Sequence, residues 1–133
     1  MRDVLVPVSP GELLDKITIL RIKAARMTDG EKLRNVRVEL ALLSDTWRDC
    51  GCAQRTPLED EQALEAVNAR LWNIEDRIRE KEAAQAFDAE FIELARSVYL
   101  ANDERAAIKR RINLRLNSRL VEEKSYAPYR AAE

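Results

Sequence analysis

The chain has 133 residues, of which 46% are apolar and 35% charged, with a net charge of -1. That is enough chain for one domain with a real core, built from amphipathic helices with charged outer faces, and the balanced charge excludes a global field drawing it onto nucleic acid or anionic membrane. Histidine is absent, which removes the commonest general base and metal ligand, and two cysteines cannot make a zinc site alone, so neither a metal nor a cofactor is expected.

Residues 1–8 read as an extended segment. Val4, Val6 and Val8 alternate, but Pro7 limits them to an edge strand at best. The first helix has a marked start: Ser9 as cap, Pro10 at the first helical position and Glu12 completing a capping box. It runs to about Met27 on the stripe Leu13, Ile17, Leu20, Ala24 and Met27. Thr28-Asp29-Gly30 turns the chain, with Asp29 as the next cap. The second helix, about Glu31 to Cys50, carries Leu33, Val36, Leu40, Leu43 and Trp47. Gly51 stops it, and Cys50 and Cys52 are expected as free thiols of a reduced, cytoplasmic protein.

Thr56-Pro57-Leu58-Glu59 repeats the start signature, so Thr56 is expected to cap a third helix on Leu64, Val67, Leu71, Ile74 and Ile78. Asp88 caps a fourth, from Ala89 to about Asn117. Residues 118–133 read as a non-helical tail, disordered from about Ala131. No run approaches the ~20 apolar residues of a membrane helix, and no secretory leader is evident. The chain is therefore predicted to be a single all-α domain over 1–133. Its architecture is expected to be an antiparallel four-helix bundle of two helical hairpins, the second longer. At 1.5 Å per residue that hairpin should overhang the first by about 14 Å near Phe87. Phe87, Phe91 and Leu94 lie on this tip, so a homodimer is expected.

The last long helix breaks its own pattern. Helical spacing asks for apolar residues near 102, 105 and 109, yet the chain supplies Asn102, Arg105 and Lys109, with Asn113 one step further. Polar groups on a buried stripe need partners. Counting residues from the bundle end places Asp15, Lys16, Glu39, Trp72, Glu75 and Tyr99 at overlapping heights. Two readings follow. One is an internal polar lock, with Arg105 paired to Glu75 or Glu39. The other is an interhelical pocket for an anionic small molecule, with Arg105 and Lys109 neutralising charge, Asn102 orienting, Trp72 stacking and Glu75 the one credible acid or base. From Arg105 to Arg119 there are six basic residues and no acid. Without interleaved aromatics this run makes a poor nucleic-acid groove.

The segments SPGELLDKITILRIKAARM (Ser9–Met27), LWNIEDRIRE (Leu71–Glu80), VYLANDERAAIKRRIN (Val98–Asn113) and RLVEEKSYAPY (Arg119–Tyr129) together resemble a bacterial family of small helical proteins of unknown function. The resemblance spans nearly the whole chain and implies no established activity. Leu13–Met27 also resembles the long first helix of the helical chorismate mutases, in shape alone, since Thr28-Asp29-Gly30 breaks the helix here. The leading expectation is a non-catalytic interaction or accessory protein. A small enzyme or binding protein for an anionic metabolite is the alternative, and nucleic-acid binding a distant third.

Overall fold

In a computed structural model of the chain, which describes residues 1–129, no strand occurs among the described residues. Five helices follow one another: α1 (Pro10–Arg26), α2 (Gly30–Asp49), α3 (Cys52–Arg55), α4 (Leu58–Ala83) and α5 (Ala89–Arg115). The fold is all-α. Residues 1–8 and the tail from 118 to 129 carry neither helix nor strand. The expected disorder from Ala131 lies outside the described residues.

Three helix starts follow from their caps. The Ser9 hydroxyl accepts from the Glu12 N–H at 3.2 Å, with Pro10 in the first turn. Asp29 accepts from the Lys32 N–H at 2.9 Å, and Asp88 from the Phe91 N–H at 3.0 Å. Each satisfies one of the N–H groups that a helix start leaves unpaired. The fourth start corrects the sequence reading. Thr56 does not cap α4; its hydroxyl turns back to the Cys52 carbonyl at 2.8 Å and closes α3, a turn of helix that the reading did not contain. Pro57 takes the cap position of α4, with no side-chain bond.

Gly51 sits at φ +78°, a left-handed conformation that favours glycine. The reversal it allows leaves the Cα atoms of Cys50 and Cys52 5.5 Å apart, and the two sulfurs are joined. Free thiols were expected; the glycine turn instead brings the pair within bridging range.

α1 is the hub. It packs against α2, α4 and α5, while α4 and α5 pair with each other; α2 adds little beyond α1 and the short α3. Leu14 and Ile17 from α1, Leu64 and Val67 from α4, and Ile108 and Ile112 from α5 make the core, and Trp47 ties α2 to it. Full burial of each such side chain is worth about 1.5–3 kcal/mol. Between Ile74 and Ala101 no residue joins this core. There α4 and α5 continue as a hairpin tip, held by Lys81 bonded to Asp88 at 2.6 Å and Arg77 bonded to Glu90 at 2.8 Å.

Candidate functional site

The buried stripe of α5 runs through Ala101, Ile108, Ile112 and Leu116, with Lys109 and Asn113 buried beside it. It is rotated by about one residue from the expected stripe. Asn102 is consequently exposed, and Arg105 lies half-buried at the edge.

Asp15 is the centre of the polar cluster. It faces inward because it shares the α1 face with Gly11, Thr18 and Ile22, all buried, and it is 1% exposed. Arg105 grips it with two bonds, Nε to Oδ1 at 2.8 Å and Nη2 to Oδ2. The Asn68 amide reaches across from α4 and donates to both Asp15 Oδ1 and Thr18 Oγ1 at 2.9 Å. Lys109 Nζ stands 3.9 Å from Asp15, 2.7 Å from Glu12 and 3.2 Å from Glu122. One turn on, Asn113 Oδ1 accepts from the Gly11 N–H at 2.7 Å, so α5 supplies a cap to the start of α1. Burial pushes the Asp15 carboxyl up, but hydrogen bonds from Arg105 and Asn68 and the charges of Arg105 and Lys109 outweigh it. They hold the carboxyl below its ordinary value of 3.8.

A second buried carboxylate, Asp60 in the first turn of α4, accepts from Arg111 at 2.8 Å and stands 3.3 Å from Arg115. Arg110 pairs with Glu123 of the tail at 3.1 Å. Five of the six cations in the basic run therefore face carboxylates.

Of the residues singled out from sequence, Asp15, Arg105 and Lys109 come together, with Asn113 one turn away. Trp72, Glu75, Asn102 and Arg105 line one concavity of about 390 Å³, where α1, α4 and α5 meet. Tyr99, Asn102, Arg105 and Lys109 line another of about 580 Å³, between α5 and the tail. Lys16 and Glu39 are exposed and join neither. The expected partner of Arg105 is corrected from Glu75 or Glu39 to Asp15. Glu39 belongs to α2, which packs on α1 away from α5. Glu75 pairs with Arg79 one turn along its own helix. Trp72 lies under Arg26, 5.9 Å from the guanidinium carbon.

Sequence reasoning missed Gly11, Glu12, Asn68, Asp60 and Glu122. Two carried a readable signal: Asp60 lies four residues before Leu64 and Asn68 four after it, so both fall on the apolar side of α4. Glu122 carried none, since nothing in a non-helical tail says where it returns.

The scaffold and its centre define a class: a small all-helical protein organised around a buried Asp–Arg pair, with no three His, Cys, Asp or Glu side chains gathered to hold a metal among the described residues. The chain belongs to a family of unknown function (DUF6165), which it matches over residues 4–132. No curated protein and no solved structure matches it.

Proposed function

We propose that this is a non-catalytic interaction or accessory protein that works as a homodimer. One observation carries the first part: every charged group at the buried centre already has an internal partner. Asp15 has Arg105 and Asn68, and Lys109 has Glu12 and Glu122. A carboxylate held ionised by a bidentate arginine is a poor general acid or base near neutral pH, and no histidine stands by to replace it. What remains is a lock that fixes α1 against α4 and α5, and leaves the surface to do the work.

The dimer reading rests on the hairpin tip. Phe87 is 54% exposed, Ile92 is exposed too, and the Phe87 ring stands edge-on to Phe91 at 5.2 Å. Apolar groups on an overhang outside the core suit a second copy of the same tip. Among the described residues no helix is long and apolar enough to cross a membrane. Light scattering at micromolar concentration tests the dimer. The expected mass is twice the 15.3 kDa chain, falling to one chain in Phe87→Asp. A monomeric parent protein would sink it.

A second reading has its own support, the concavity lined by Trp72, Glu75, Asn102 and Arg105. In it the protein binds an anionic metabolite between helices. It expects citrate to raise the unfolding temperature and Trp72→Ala to abolish that rise, whereas the first reading expects no response to citrate. Nucleic-acid binding is the weakest reading, because the carboxylates facing the basic run would have to be displaced.

A further inference from the structure

The tail is fastened at two places and lifted between them. Near its start, Glu122 bonds Lys109 at 3.2 Å and Glu123 bonds Arg110 at 3.1 Å. At the far end, the Tyr129 hydroxyl donates to Asp103, and its ring lies 5.0 Å from the ring of Tyr99. The stretch between does not sit down on α5: Tyr126 is 74% exposed. Holding backbone in one path costs entropy, and a strap that packed flat would offset more of it. Beneath the bow lies the cleft of about 580 Å³, within the range of small-molecule sites, roughly 300–1,000 Å³.

Its walls say what would fit. The floor on α5 is Val98, Tyr99 and Ala106, and the strap adds Tyr126 and Tyr129. Three phenol rings around one space favour a flat aromatic body. Two side chains of the cleft lining keep donors unspent on protein acceptors among the described residues. The Asn102 side chain makes no hydrogen bond, and Arg105 spends Nε and Nη2 on Asp15 while Nη1 bonds nothing. An amide N–H and a guanidinium edge together suit a two-oxygen acceptor. Further negative charge is unwelcome. The other cations of the lining, Lys109 and Lys124, are already matched by Glu12 and Glu122, and Asp103 stands at the edge. A cationic ligand would face the unspent guanidinium edge of Arg105 in place of an acceptor.

We propose that the cleft between α5 and the C-terminal strap is a binding site for a flat aromatic monocarboxylate. The site shares Asn102 and Arg105 with the concavity at Trp72 and Glu75 but takes its aromatic walls from Tyr99, Tyr126 and Tyr129, and it is compatible with a non-catalytic protein.

Titration calorimetry of the full chain with 2-naphthoate tests it, with 2-naphthylmethylamine and cyclohexanecarboxylate as comparators. Saturable binding at or below about 1 mM is expected for 2-naphthoate, with both comparators weaker by about tenfold or more. Asn102→Ala and Tyr126→Ala change exposed side chains and should leave the fold intact, as circular dichroism can verify; each should weaken 2-naphthoate by about tenfold or more. Trp72→Ala should leave it unchanged. Absence of saturable binding, equal binding of the amine, wild-type affinity in both cleft variants, or loss of binding in Trp72→Ala would each overturn the assignment.

Discussion

Asp15 shows what one withdrawn carboxylate demands of a fold. Out of water it must be neutralised or hydrogen-bonded, and Arg105, Asn68 and Lys109 on two other helices do this. Removing Arg105 strands the charge. Breaking such a pair costs about 3–5 kcal/mol when fully buried. The Arg105 side chain is 30% exposed, so water can refill part of the gap, and Arg105→Ala should cost about 2–4 kcal/mol in chemical denaturation. Arg105→Met combined with Asp15→Asn should recover part of the loss, since no lone charge remains; an unaffected single variant would show that the pair stabilises nothing. The pH dependence follows from the depressed carboxyl. Its stabilisation is fully present above the ordinary value of 3.8 and is lost as pH falls through the lower folded value. Asp15→Asn should therefore flatten the acid limb below 3.8 and leave the neutral region without that slope.

Gly11 is the other residue at which one atom decides. A Cβ there would meet the Lys109 carbonyl at 2.6 Å and Asn113 Oδ1 at 2.9 Å. Backbone cannot yield as a side-chain tip can, so Gly11→Ala should cost about 1–3 kcal/mol, by overpacking and by disturbing the Asn113 cap. At Gly30, also in a first helical turn, an added Cβ meets nothing within 4 Å. Gly30→Ala should be neutral or stabilising by up to about 1 kcal/mol. Thermal melts of the two variants give the contrast directly, and equal effects would refute it.

At the scale of elements, what could be read in the sequence is what local chemistry decides. Ser9, Asp29 and Asp88 start helices because an oxygen within three residues of an N–H needs no tertiary information. Thr56 failed because two helices compete for one hydroxyl, and the preceding turn of α3 is as close as the following turn of α4. The phase of α5 failed for a different reason. Ala101 and Ile108 were on offer as core residues, but periodicity alone could not choose between a stripe through 102 and 105 and one through 101 and 108 until α1 and α4 were in place. The polar residues on it were visible; the identity of their partner was not. Height along the axis brought Asp15 near Arg105, but only the packing of α2 away from α5 removes Glu39. The hairpin tip is held differently again. The Asp88 bond raises the Lys81 ammonium pKa, and the Lys81 and Arg77 bonds lower the Asp88 and Glu90 carboxyls respectively. Ion pairs thus tie the tip together where the apolar core does not reach.

For the whole molecule, the hub position of α1 means that the four long helices are not equals. α4 and α5 hold each other and α1, and the Asp15 and Asp60 pairs cross that three-helix unit. α2 buries only Val36 and Trp47, and it turns Val38 and Leu42 to solvent. A segment with so few buried contacts opens at a lower free energy than the rest. Hydrogen exchange should therefore resolve two cooperative units. The amides of α2 should lose protection before those of α1 and of the core-packed parts of α4 and α5, which should exchange together at the global limit, and a single common exchange class would contradict this. Trypsin offers the same clock by another route: Lys32, Arg34 and Arg37 all lie within α2, so under native conditions the first cuts in the helical part should fall there, leaving the ion-paired unit of α1, α4 and α5 still folded around the nick.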